Sequence, residues 1–164
     1  MNVIIKEDPE RLTKRLRAMK KLKDTKVNVG LLPSAGGWLH FILAVQEHGS
    51  PVMRIPPRPV VQPALAQEET RAAMAAELLR AIETAWEGSD PRESLEAAGQ
   101  AGADGIRSYI DSGVLQPNSP VTVSGGWIFN RVARKGVLVP GKGFNRPLYD
   151  TGALYNAFSY EVEG

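Results

Sequence analysis

Leu95-Glu96-Ala97-Ala98-Gly99-Gln100-Ala101-Gly102-Ala103-Asp104-Gly105-Ile106 is the stretch whose packing decides how this chain folds. Leu95, Ala98, Gly102, Ile106, Tyr109 and Ile110 recur at helical spacing and predict one apolar side. Asp90-Pro91-Arg92-Glu93 opens the helix as a capping box, with Asp90 at the N-cap, proline at N1 and Glu93 at N3. A glycine inside a helix costs up to ~1 kcal/mol relative to alanine. Gly99, Gly102 and Gly105 therefore predict another backbone packed very close, from this chain or from a neighbouring subunit.

Upstream, residues Val61 to Glu87 are rich in Ala, Glu, Leu and Arg and predict a helix of about seven turns. Leu65, Ala72, Ala76, Leu79, Ile82 and Trp86 form its apolar stripe, and Gly88-Ser89-Asp90 breaks it. Ile55-Pro56-Pro57-Arg58-Pro59 lacks three backbone donors, so it runs extended rather than as a central strand. Trp38 to His48 reads as a helix with Leu39, Ile42, Leu43 and Val45 apolar and Gly49 as its stop. Val27-Asn28-Val29-Gly30-Leu31-Leu32 alternates like a strand and closes in the turn Pro33-Ser34-Ala35-Gly36-Gly37. Before it, Asp8-Pro9 starts a basic helix whose Leu12, Leu16, Met19 and Leu22 are expected to face the core. Val3-Ile4-Ile5 predicts a first short strand.

Downstream, residues 112–149 are Gly/Pro-rich and too long for an ordinary connection. Val121-Thr122-Val123 and Val137-Leu138-Val139 are β-branched fragments flanking Trp127-Ile128-Phe129-Asn130-Arg131, which predicts a protruding hairpin or arm. Exposed Trp and Phe on such an arm dock into something. Phe158, Tyr160 and Val162 alternate with polar residues and predict a half-buried final strand.

The length of 164 residues suits one domain, 1–164, with the arm at about 113–147. With no cysteine and two histidines, a disulfide scaffold, a zinc finger, an iron–sulfur site and a thiol nucleophile are excluded. Hydrophobic residues at 43% and charged residues at 23% describe a globular chain rather than a disordered one. No run approaches the ~20 apolar residues of a membrane span, and the opening residues carry acids where a signal peptide would be apolar.

The net charge of +2 conceals three blocks. Residues 1–26 hold nine Lys/Arg against four acids, and residues 62–96 hold three against eight. Residues 127–146 hold five, Arg131, Arg134, Lys135, Lys142 and Arg146, and no acid. Such alternation disfavours a dedicated nucleic-acid binder, which would collect its basic residues in one patch. It leaves solvated faces, or a subunit whose basic and acidic surfaces face different neighbours.

Three motifs suggest chemistry. Asp150-Thr151-Gly152-Ala153 resembles the catalytic signature of retroviral-type aspartic proteases, which need two aspartates sharing a proton. Only twelve residues follow Gly152, and no second Asp-Ser/Thr-Gly lies upstream, so a helix N-terminus capped by Asp150 or Thr151 is the expectation. Gly141-Lys142-Gly143 lacks the spacing of a phosphate loop and reads as a turn. His40 and His48 lie two turns apart on one helix without a third ligand at metal spacing. No catalytic set, cofactor site or metal site is expected.

Four segments in order resemble the tailed-bacteriophage neck and tail-completion proteins, the virion-morphogenesis or head–tail connector group. The first is Val3-Ile4-Ile5, the basic helix and Val27-Asn28-Val29-Gly30-Leu31. The second, Leu43-Ala44-Val45-Gln46-Glu47-His48-Gly49-Ser50, is similar to that group's Ala-x-x-His/Asn-Glu-x-Gly segment, with Glu47-His48 in reversed order. The third, Ile55-Pro56-Pro57-Arg58-Pro59-Val60, is similar to its Ile-Pro-x-Arg-Pro-Phe segment, with Val60 in place of the aromatic. The last is Asn118-Ser119-Pro120 with Lys142-Gly143, then Arg146-Pro147-Leu148-Tyr149-Asp150-Thr151-Gly152-Ala153-Leu154, similar to a Lys-Pro-Leu-x-Asp-Thr-Gly-x-Leu ending.

The resemblance implies a structural virion subunit, not an enzyme, assembled in the host cytoplasm into a ring at the neck or tail. Its partners would be copies of itself, the head-closure or portal-side connector, and tail-tube or tail-terminator proteins. Passing DNA would be touched only through weak, sequence-independent contacts. The implied fold is α+β: a small, mainly antiparallel sheet from residues 2–6, 27–32 and 157–162, packed by two long helices, with an extended hairpin arm. Interface residues would be Trp127, Phe129, Arg131, Arg134 and Lys135 on the arm, Arg58, and Glu68, Glu69 and Glu77 on the acidic helix. The competing readings are a dimeric aspartic protease using Asp150-Thr151-Gly152 and a DNA-binding accessory protein.

Overall fold

The computed structural model describes residues 8–52, 54–130 and 133–164. In chain order the elements are α1 (Pro9–Asp24), β1 (Lys26–Leu31), a 3-10 turn (Pro33–Ala35), α2 (Gly37–His48), α3 (Val61–Ala66) and α4 (Glu68–Trp86). They continue with α5 (Arg92–Asp111), α6 (Pro120–Ser124), β2 (Gly126–Asn130), β3 (Lys135–Val139), α7 (Ala153–Ala157) and β4 (Phe158–Glu163). The fold is α+β, as expected, with two antiparallel two-stranded sheets among the described residues. The strand expected at Val3-Ile4-Ile5 lies outside the described residues.

The chain forms two compact units. The first comprises residues Met1–Ser34, Val61–Ile106 and Phe158–Gly164. In it β1 pairs with β4, Val27 opposite Val162, Val29 opposite Tyr160 and Leu31 opposite Phe158. Directly opposed residues share a sheet face, so these six make one apolar side. On the other side Asn28 Nδ2 donates to Glu161 Oε1 at 3.2 Å.

The glycines of α5 show what the apolar side packs against. A Cβ on Gly99 would lie 2.5 Å from Tyr160 Cδ2, and one on Gly102 would lie 2.9 Å from Val29 Cγ1 and 3.2 Å from Met74 Sδ. A Cβ on Gly105 would overlap Thr70 of α4. Residues three apart on a helix are offset by about 60°. The glycine line therefore turns from the sheet at Gly99, through both partners at Gly102, to α4 at Gly105. The close neighbours are side chains of this same chain, not the second backbone that the glycines predict. In this unit Ala81, Ala85, Leu95, Ala98, Ala103, Ile106 and Phe158 are buried.

Two expectations about this unit are corrected. Residues 61–87 form two helices, not one, because Gln67 takes extended backbone (φ −58°, ψ 137°) and its carbonyl receives Arg71 N–H at 2.9 Å. The apolar stripe of this segment is turned outward at Leu79, Ile82 and Trp86, while Thr70, Ala81 and Ala85 are buried. The α4 residues that meet the α5 glycines are Thr70 and Met74, while Leu79, Ile82 and Trp86 stay exposed. Likewise α1 buries no residue, and its Leu12 and Leu16 are exposed. Arg15 of α1 instead lays its guanidinium over the Trp86 ring, 5.3 Å from the centroid.

The second unit comprises Ala35–Val60 and Arg107–Ala157. Gly49 ends α2 at φ 72°, and a Cβ there would meet Ile55 O at 2.8 Å and Pro57 N at 2.9 Å. That position admits glycine alone. The residues Val121-Thr122-Val123, expected to be extended, are helical in α6. Pro120 sits at its start, and the Ser119 Oγ accepts from Thr122 N–H at 3.4 Å. A helix cap and proline at N1 override β-branched propensity here. The hairpin is formed instead by β2 and β3, which contain the aromatic centre itself.

Gly99→Ala should cost about 1–3 kcal/mol in urea-unfolding measurements, although helix propensity alone would make it stabilising. Gly37→Ala, at the start of α2 with nothing within 4 Å of an added Cβ, should be neutral or stabilising. Equal effects at the two positions would contradict this packing.

Candidate protein–protein interface

The hairpin pairs Trp127 with Leu138, Ile128 with Val137, Phe129 with Gly136 and Asn130 with Lys135. Trp127, Phe129, Gly136 and Leu138 consequently share one face. The Trp127 ring lies over Gly136, where an added Cβ would sit 3.4 Å from Trp127 Cε3. This face is open: Trp127 is 73% exposed, Phe129 67% and Leu138 61%. Asn130 Oδ1 accepts from Ala133 N–H at 2.9 Å and helps to close the turn. Arg134 stands in that turn at φ 49°, and Lys135 begins β3; both are exposed. Trp127, Phe129, Arg134 and Lys135 are thus brought together, while Arg131 lies outside the described residues.

The acidic residues behave differently from one another. Glu68 and Glu69 are exposed in the first turn of α4, where carboxylates suit the helix dipole. Glu77 is held by Arg80, with both carboxylate oxygens 2.9 Å from Nη1. Its charge is already balanced within the helix.

Arg58 is only 7% exposed and is committed inside the second unit. Its Nε donates to Gln116 O at 2.7 Å, Nη2 to Pro117 O at 3.0 Å and Nη1 to Gln46 Oε1 at 3.1 Å. Burial pushes its pKa down. Beside it, Glu47 Oε1 accepts from Val60 N–H at 2.8 Å. The guanidinium therefore ties the proline-rich run to α2 and to residues 116–117, with all three of its nitrogens engaged inside the unit.

The Asp150-Thr151-Gly152 segment opens α7. Ala153 N–H donates to Thr151 Oγ1 at 3.3 Å, and Asn156 N–H to Gly152 O at 2.8 Å. Upstream of it, Lys142 Nζ donates to Arg146 O at 2.8 Å and Tyr149 O at 2.6 Å. Burial and the charge of Arg58 lower the Lys142 pKa, against the opposing pull of Asp150. This lysine is a brace for the turn.

Two features escape sequence reasoning. Trp38 and Phe41 are exposed on α2 and stacked, with centroids 5.7 Å apart. Their spacing of three outside the Leu39/Ile42/Leu43/Val45 set is the signal that could have found them. The second is a clamp: Arg146 pairs with Asp111 and lies over Tyr149, 4.3 Å from the centroid, while the Tyr155 hydroxyl donates to Asp111 Oδ2 at 2.8 Å. Burial pushes the Asp111 carboxyl up, but hydrogen bonds from Arg146 and Tyr155 and the Arg146 charge outweigh it and hold it low. Hydrogen bonding to Asp111, with burial, raises the Tyr155 pKa. No group of three or more His, Cys, Asp or Glu among the described residues could hold a metal ion, and no described helix is long and apolar enough to cross a membrane.

Arg58→Lys should cost about 2 kcal/mol of unfolding free energy, because one ammonium cannot serve three spread acceptors. Asp111 favours its charged form in the folded chain. Its stabilisation is full above the ordinary midpoint of 3.8 and is lost as pH falls through the lower folded midpoint. A carboxyl titration followed by NMR should show the Asp111 midpoint below 3.8, moving up in Arg146→Gln; an unmoved midpoint would contradict the clamp.

No family model, no curated protein and no solved structure matches this chain.

Proposed function

We propose that this chain is a structural subunit of the head–tail connection of a tailed bacteriophage. It is a neck or tail-completion protein that closes into a ring and acts by binding rather than catalysis. The observation that carries the reading is the hairpin: a two-stranded ribbon presenting Trp127, Phe129 and Leu138 to solvent on one face. Such a ribbon is marginal by itself in water and gains most from a surface that covers it. The order of the Gln46-Glu47-His48-Gly49, Ile55-Pro56-Pro57-Arg58-Pro59 and Arg146–Leu154 segments adds support. Within the second unit these segments form a braced frame, through Gly49, Arg58 and the Lys142 and Arg146 contacts, that carries the hairpin. The ring's other partners would be the portal-side connector and the tail-tube or tail-terminator protein, and the subunit would reside in the virion.

A phage unable to make this chain should accumulate DNA-filled heads and separate tails. Added purified protein should restore joined, infectious particles. Trp127→Ser/Phe129→Ser should melt like the wild type yet restore at least about tenfold fewer particles, since buried aromatic anchors dominate interface energies. Normal joined virions without the chain would refute the proposal.

A further inference from the structure

We infer that the β2–β3 hairpin of one copy seats on the outer face of α4 of the next copy, a contact that rests on reading the chain as an assembly subunit. The outer face of α4 is built as a seam. Ala72, Ala75, Leu79, Ile82 and Trp86 follow one another at steps of three and four, which keeps them on a single line of the helix. All five are exposed, opposite the buried Thr70, Ala81 and Ala85, with the Arg15 guanidinium over the Trp86 ring at the end of the line. Glu69, Glu83 and Glu87 are exposed along one flank of that line.

The hairpin is its complement in three respects. Trp127, Phe129 and Leu138 supply apolar bulk where the seam begins with two alanines and leaves room. Arg134 and Lys135 supply positive charge against the carboxylates of the flank. The lengths also agree: five residues of strand span about 17 Å, and the fourteen steps from Ala72 to Trp86 span about 21 Å.

Charge also selects the orientation. Hairpin against hairpin would bring Arg134 and Lys135 beside their own kind, and seam against seam would oppose carboxylates. The favoured contact is therefore between two different surfaces. A heterologous contact of this kind leaves one hairpin and one seam free at the ends of any pair, so copies add until the rotation closes.

The chain has no cysteine, so introduced thiols report the contact directly. Copies carrying Leu138→Cys and copies carrying Ile82→Cys are mixed and oxidised without denaturant. The mixed disulfide dimer should exceed either like-with-like dimer at least about tenfold. In light scattering, Trp127→Ser/Phe129→Ser and Leu79→Ser/Ile82→Ser should each weaken self-association at least about thirtyfold, the hot-spot threshold of about 2 kcal/mol. Mixing the two variants should yield dimers that grow no further. Should Leu79→Ser/Ile82→Ser misfold, Glu83→Arg/Glu87→Arg serves instead, and its loss should be restored by a partner carrying Arg134→Glu/Lys135→Glu.

A wild-type chain monomeric at all concentrations, dominant like-with-like disulfides, a disulfide within one copy of a double-cysteine chain, or failure of the charge exchange overturns the contact. Self-association that survives the seam variants overturns it while leaving the assembly-subunit reading intact. That reading fails separately, if heads and tails join without the chain.

Discussion

The first unit depends on a shortage of atoms along α5. Gly99, Gly102 and Gly105 bring the helix axis close enough that Tyr160, Val29, Met74 and Thr70 occupy the space where side chains would stand. Their helix-propensity cost, together up to about 3 kcal/mol, is offset by contacts that larger residues would exclude. Of α4, Met74 and Thr70 fill the room that Gly102 and Gly105 leave, while Ala81 and Ala85 are buried and Leu79, Ile82 and Trp86 are exposed.

The second unit is organised by a different principle, polar bracing of irregular backbone. Arg58 collects two carbonyls and an amide oxygen, Lys142 collects two more carbonyls, and Arg146 bridges Asp111 while covering Tyr149. Charged donors make stronger hydrogen bonds than neutral ones and can satisfy carbonyls that no helix or strand would pair. A proline-rich segment that cannot form a ladder is held in this way. Among the described residues the hairpin carries no such bracing on its aromatic face, where Trp127, Phe129 and Leu138 are exposed.

Much of this was legible in residue order. Asp8-Pro9 and Asp90-Pro91 mark helix starts, and Gly49 marks a stop, because capping chemistry is local. The alternation of Val27, Val29 and Leu31, and of Phe158, Tyr160 and Val162, gives the two paired strands. The break at Gln67 has no such signal, since Ala, Gln and Glu all favour helix. Periodicity shows that Leu79, Ile82 and Trp86 are aligned but not whether they face in or out. Val121-Thr122-Val123 misleads because Ser119-Pro120 decides the conformation from outside the triplet. Of the proposed interaction residues, Trp127 and Phe129 stand out in a basic stretch. Arg58 looks like a surface cation, because its partners are backbone carbonyls with no sequence signature.

β1 and β4 also set the timing of folding. Asn28 and Glu161 are neighbours across the sheet yet 133 positions apart in the chain. Closing a loop of that length costs on the order of 4 kcal/mol of entropy before any pairing repays it. Until residues 158–163 leave the ribosome, the apolar side of β1 and the glycine line of α5 lack the strand that completes their packing. The helices rest on local contacts, whereas β1–β4 pairing is long-range, the class of contact that slows folding. A chain interrupted before residue 158 would keep its helices but lack the strand that completes this core, so the unit becomes rigid only once that strand has paired.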